Sequence, residues 1–164
     1  MQIVPLGQLY VGKICAALNR QHPRDLFDVK YLLQHEGISE KIIPGFLYCL
    51  LGSERPIFEL LKPNFFDQRK AMELQFNGMT LEPFTYEEYD QTRINLIDLI
   101  KSNLTKEDKE FLLQFENATP VWKTYDYVNY PSIRWKFQNL EILKKNNPAK
   151  HSQIYMSLKD YIND

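Results

Sequence analysis

The side chains best placed to do chemistry lie between Leu9 and Asp28. Lys13 and Arg20 are seven residues apart in a helical stretch. At about 100° per residue they return to one face. A lysine and an arginine on one face beside a turn make a cationic surface suited to phosphate oxygens. On the next helix Arg24 and Asp28 stand four apart and are spaced to pair with each other. Asp25 falls in that helix's first turn, where the helix dipole favours a carboxylate. Gly12, beside Lys13, leaves room for a ligand or another backbone to approach. The same spacings also describe a solvated helix face and an ordinary cap with a surface ion pair, which is the commoner outcome of such patterns.

Elsewhere the chemistry is sparse. His22, His35 and His151 are scattered without zinc spacing, so no metal site is assigned. Nothing suggests a Ser/His/Asp or Cys/His arrangement. Cys15 and Cys49 sit in apolar surroundings and read as reduced core thiols. Trp122, Tyr125, Tyr127, Tyr130, Trp135 and Phe137 gather with Lys123, Arg134 and Lys136. Bases stack on such surfaces, but aromatics more often anchor a core.

The elements that must position these residues read as helices. Leu9, Ile14, Ala17 and Leu18 recur at three- and four-residue steps, predicting a helix over residues 6–19. Gln21-His22 makes a two-residue turn. Pro23 then opens a helix to about Glu36, where its missing N–H costs nothing, and Gly37 stops it. Ser39 caps a third helix through about Leu51, with Pro44 in its first turns. A short helix spans residues 56–61 after the break at residues 53–56. Residues 67–76 form another, closed by Asn77-Gly78. Thr85 with Glu88 makes a capping box for a helix to about Ser102. Thr105 opens one to about Glu116, Pro131 one to Lys145, and Pro148 the last. Residues 1–4 are the only strand candidate. The expectation is a single all-α, mainly helical domain over residues 1–164.

Bulk composition agrees. The chain has 164 residues, 44% hydrophobic and 25% charged, which gives an ordinary globular core. Aromatics at 13% argue against disorder. A net charge of −1 does not announce a nucleic-acid or membrane binder. No apolar run approaches the ~20 residues that cross a bilayer. No charged n-region followed by an apolar h-region opens the chain. A cytoplasmic protein without a membrane partner is expected.

The run Leu-Tyr-x-Gly-Lys-x-x-Ala-Ala-Leu-x-Arg-x-x-Pro-Arg-Asp-Leu-Phe-Asp, residues 9–28, resembles a signature block of the AbiEii/AbiGii-type toxin nucleotidyltransferases. That block has a helix lysine followed by Arg-Asp-Leu-(Tyr/Phe)-Asp at the head of the next helix. Here these are Lys13, Arg24, Asp25 and Asp28, with Arg20 between them. Phe76-Asn77-Gly78-Met79-Thr80 and the stretch from Tyr130 to Leu140 resemble later landmarks of one branch of that family.

The resemblance implies the C-terminal helical domain of a polymerase-β-like nucleotidyltransferase. In such proteins Asp-x-Asp on a strand, after a Gly-Gly or Gly-Ser turn, holds Mg²⁺ on a nucleoside triphosphate. The resemblance makes Lys13 and Asp28 the catalytic candidates, and Arg20, Arg24 and Asp25 the substrate-binding ones. No Asp-x-Asp or Asp-x-Glu suited to a metal pair occurs in this sequence. Glu88 and Asp90 lie on a helix, where residues two apart diverge. The expectation is therefore a truncated chain whose catalytic half would precede Met1. It would hold no cofactor alone, and Mg²⁺ with a nucleoside triphosphate when completed. It would bind nucleotide or tRNA and be inactive by itself. The alternative is a non-catalytic helical module that binds an antitoxin or a separate catalytic half.

Overall fold

The structure is a computed structural model that describes residues 6–38, 42–122 and 125–164, with side chains from residue 10 onward. Among the described residues nine α-helices and one π-helical turn occur and no strand, so the all-α class holds. The strand expected at residues 1–4, Ser39 as a cap, and Lys123 in the aromatic group lie outside the described residues. The helices gather into two compact units. One is built from residues 1–46 and 63–103, the other from residues 47–62 and 104–164.

In the first unit α1 (Leu6–Arg20) packs on α2 (Pro23–His35), and α2 packs on α6 (Tyr86–Asn103). Pro23 stands in the first turn of α2, where its fixed φ is already helical. Gly37 takes φ +66°, and its N–H and that of Glu36 both reach the Leu32 carbonyl. That is the left-handed stop glycine makes at no steric cost. Thr85 and Glu88 form the expected capping box, with Thr85 N donating to Glu88 Oε2 at 2.9 Å and Glu88 N to Thr85 Oγ1 at 3.1 Å. The Lys30 ammonium, 2.8 Å away, and the Thr85 amide together hold the Glu88 carboxyl below its usual range. Ile14, Leu18, Leu26, Val29, Leu32, Tyr89 and Leu96 fill the space between these helices.

The segment expected as one helix over residues 67–76 differs. An α-turn, α5 (Arg69–Ala71), runs into a π-turn (Met72–Phe76). The wider turn carries Met72 and Phe76 into the interior and leaves Leu74 in solvent. The Phe76 ring meets Phe27 at 5.3 Å and Phe84 at 5.7 Å between centroids.

The third helix, α3 (Ile43–Gly52), begins later than expected, so that Pro44 falls in its first turn, where a missing N–H is harmless. The chain passes from one unit to the other within α3, after Phe46. In the second unit the end of α3 and α4 (Ile57–Leu61) join α7 (Lys106–Glu116), α8 (Pro131–Asn146) and α9 (Pro148–Asn163). α9 packs on α4, α7 and α8. Leu50, Leu51, Ile57, Leu61, Leu112, Phe115, Ile133 and Leu158 are the core of this unit. The aromatic loop lies over it. Trp122 meets Phe111, Phe115 and Phe137 edge-on, and Tyr125 stacks on Phe111 at 4.3 Å. Lys136, grouped by sequence with the cations of this aromatic surface, is buried instead. Its Nζ donates to the carbonyls of Leu50 (3.0 Å) and Arg55 (2.8 Å).

Candidate functional site

The site stands on the turn between α1 and α2. Gln21 follows α1 with φ +53°, donating its N–H to the Ala17 carbonyl at 3.0 Å. A left-handed residue reverses the chain in one step, so α2 folds back along α1. His22 then caps α2: its Nδ1 accepts from the Arg24 amide at 3.2 Å, and its Nε2 lies 3.0 Å from Gln75 Oε1.

This reversal brings the five residues singled out in the sequence together. Lys13, Arg20, Arg24, Asp25 and Asp28 line one open groove of about 560 Å³, with Gly12, Ala16 and His22. Lys13 and Arg20 share its α1 wall, as their spacing requires. A Cβ built on Gly12 would meet nothing within 4 Å, so this position keeps the wall low rather than relieving a clash.

The pairing differs from the one that spacing suggests. Helical spacing pairs Arg24 with Asp28 and leaves Lys13 available. Instead Lys13 Nζ donates to Asp28 Oδ2 across the two helices, and Arg20 Nη2 to Asp25 Oδ1 at 3.0 Å. Arg24 is exposed and has no ion-pair partner among the described residues. The reason is local. A cation in the first turn of α2 faces the positive end of the helix dipole and stays in water. The aspartates of that helix lie within reach of the cations opposite. The other oxygen of Asp25, Oδ2, is buried without a hydrogen-bond partner. The groove thus holds three cations against two carboxylates, both of the latter already engaged.

Sequence reasoning missed the group that holds this turn. By sequence Gln21 is only a turn residue, yet it is 1% exposed and all its polar atoms are used. Its carbonyl accepts from Tyr89 Oη at 2.5 Å. Its Nε2 donates to the Asn64 carbonyl at 2.6 Å, and its Oε1 accepts from Phe66 N at 3.2 Å and Arg93 Nη1 at 2.9 Å. Arg93, from α6, also donates to the Phe66 carbonyl at 2.9 Å and pairs with Asp90. Burial holds the Tyr89 phenol well above its ordinary range, so the hydrogen bond it donates to Gln21 is kept even in alkali. These partners are 43 to 72 residues away in the chain. No local signal could have found them.

The donors present do not fit a Mg²⁺ site. Lys13 and Arg20 occupy the two aspartates, and no three Asp, Glu, His or Cys side chains converge among the described residues. No helix among the described residues is long and apolar enough to cross a membrane.

No curated protein and no solved structure matches the chain significantly. The family model described as "Nucleotidyl transferase AbiEii toxin, Type IV TA system" matches residues 1–139, which include the whole groove, the first later landmark and all but the last residue of the second. That match spans most of the chain and carries the signature from Leu9 to Asp28 in the arrangement just described. The chain belongs to the AbiEii nucleotidyl transferase toxin family.

Proposed function

We propose that these 164 residues supply the phosphate-holding, helical part of a nucleotidyl transferase toxin. Lys13 meets phosphate oxygens of a nucleoside triphosphate or of a tRNA acceptor. Asp28 positions the Lys13 amine, and Asp25 holds Arg20 beside it. Arg24 adds a further cation at the open edge. The observation that carries this reading is the cross-helix pair of Lys13 and Asp28 on a groove also lined by two arginines. An arriving phosphate would displace Asp28 from Lys13, so the carboxylate that lines up the amine also competes with the ligand. Alone, these residues do not transfer nucleotides, because phosphoryl transfer of this kind needs carboxylate-held Mg²⁺. The working protein would therefore act with Mg²⁺ held outside this groove, in the cytoplasm.

Titration with inorganic tripolyphosphate at low salt tests the groove. Lys13→Ala should weaken binding at least tenfold with its stability changed by no more than about 0.5 kcal/mol. Asp28→Asn should tighten it, since a competing anion is removed. Binding that ignores both changes defeats the reading. In parallel, the chain with labelled nucleoside triphosphates, Mg²⁺ and bulk tRNA should give no labelled product.

A second reading has its own support. Leu74, Met79 and Leu81 are 68%, 60% and 107% exposed on one short segment of the first unit. Clustered apolar exposure of this kind marks protein contacts, and an antitoxin is the partner implied by a toxin–antitoxin family. Charged substitutions at Leu74 and Leu81 that abolish antitoxin binding while leaving tripolyphosphate binding intact would place that contact here.

A further inference from the structure

Two phenylalanines stand half in water on a loop that Gln68 ties to the Arg20 carbonyl. Phe65 and Phe66 are 48% and 47% exposed. They sit in a loop before α5 whose backbone is held from beneath. Gln21 binds the Asn64 carbonyl and the Phe66 amide, and Arg93 binds the Phe66 carbonyl. The far end of the loop is pinned as well. Gln68 N donates to Tyr86 Oη at 2.9 Å, while Gln68 Nε2 reaches the Arg20 carbonyl at 3.3 Å. The Arg93 guanidinium lies 4.3 Å from the Phe65 ring centroid, packing one side of that ring against the protein.

The two clamping side chains are among the few buried polar groups of this unit. Burying a glutamine and an arginine is costly unless their hydrogen bonds are made. Here those bonds fix a loop that leaves two large apolar rings in solvent. A loop serving only to close the core would turn such rings inward, as Phe76 and Phe84 do in the same unit. Gln21 directly follows Arg20, so the clamp ties the rings to the wall of the cationic groove. The neighbouring charges on the loop, Asp67 and Arg69, neutralise each other at 3.0 Å, so the platform itself does not repel an anion.

We propose that Phe65 and Phe66 form a base-stacking platform for a nucleotide whose phosphates lie on Lys13, Arg20 and Arg24. The proposal rests on the phosphate reading of the groove and adds recognition of the base. Aromatic rings stack on any base, at about a tenfold gain in affinity per base. The ligand class is a base joined to phosphate, as a free nucleoside triphosphate or as the end of a single RNA strand. Phosphate is read at one side of Arg20 and the base at the other.

The test compares tripolyphosphate, ATP and an oligoadenylate tetramer on the full 164-residue chain without Mg²⁺. At least one base-bearing ligand should bind about tenfold tighter than tripolyphosphate. ATP as that ligand identifies the nucleotide source, and the tetramer identifies the strand. Phe66→Leu should bring the base-bearing ligand to within about threefold of tripolyphosphate and leave tripolyphosphate unchanged. The Phe66 ring takes no part in the clamp, so this variant carries the test even where Phe65→Leu disturbs Arg93. If tripolyphosphate binds but neither ATP nor the tetramer binds tighter, the platform is overturned and the groove stands. The platform is likewise overturned if Phe66→Leu weakens all three ligands equally. If none of the three binds, the groove reading fails and the platform with it.

Discussion

Gln21 ties the turn between α1 and α2 to the loop at Asn64 and Phe66 and to Arg93 of α6. Replacing it by alanine would take the partner from the half-buried Asn64 carbonyl and Phe66 amide and leave part of the buried Arg93 guanidinium unpaired. Each orphaned buried group costs about 1–3 kcal/mol. Gln21→Ala should therefore lower the unfolding free energy by about 2–4 kcal/mol in urea melts. Gln21→Gly loses the same bonds but relieves the left-handed φ, so it should recover about 1 kcal/mol of that loss. A loss under about 0.5 kcal/mol for alanine would show that the clamp is dispensable. At this scale the sequence is half legible. Lys13, Arg20, Arg24, Asp25 and Asp28 declare themselves through helical spacing and the family run. Which cation takes which aspartate is hidden, because that depends on how closely α2 returns along α1. Arg93 and Gln21 are opaque, since their partners are brought together only by tertiary structure.

At the scale of elements, local signals locate the helices well. Pro23, Gly37, Thr85 with Glu88, Thr105, Pro131 and Pro148 each act within a turn of themselves, and each marks an observed boundary. The π-turn at Met72–Phe76 is not legible, because its reason is the pocket that takes Phe76 beside Phe27 and Phe84. The end of α3 shows another long-range device. Lys136 places an ammonium against the Leu50 carbonyl in the last turn of α3, where the dipole welcomes a cation. Burial pulls the pKa of that ammonium down to about 8, with Glu116 opposing the shift, and burial likewise raises the Glu116 carboxyl. Lys136→Met should take the nearby positive charge from the buried Glu116 and the donor from the Leu50 and Arg55 carbonyls, and cost about 1–3 kcal/mol. Adding Glu116→Leu should restore most of it; no restoration would mean the carbonyl contacts, not the charge pair, matter. The pH dependence has a definite sign. Between about 8 and 10.5 the unfolded lysine is protonated and the folded one is not. The unfolded state then binds more protons, so stability rises with pH. Thermal melts across that window should show the parent chain gaining on Lys136→Met as the pH is raised.

At the scale of the whole molecule, both units are discontinuous in sequence. Residues 47–62 interrupt the first unit and complete the second. That division has no signature in composition, because the same apolar periodicity runs through both. It does have a consequence during synthesis. Emerging from the ribosome, the chain presents every segment of the first unit once Asn103 is out. Leu50, Leu51, Ile57 and Leu61, however, must wait for partners from the 61 residues between Leu104 and Asp164. At about 5–20 residues per second that interval is roughly 3–12 seconds. During it a strongly apolar segment of the nascent chain is bare. Ribosomes stalled just after Asn103 has left the exit tunnel should carry chains cleaved by protease within residues 47–62 and protected within α1, α2 and α6. Equal protection of both regions would refute this order of events. Holding that segment out of trouble is work for a trigger-type holdase at the exit tunnel, and slowing translation between Leu104 and Asp164 should lower the yield of native protein.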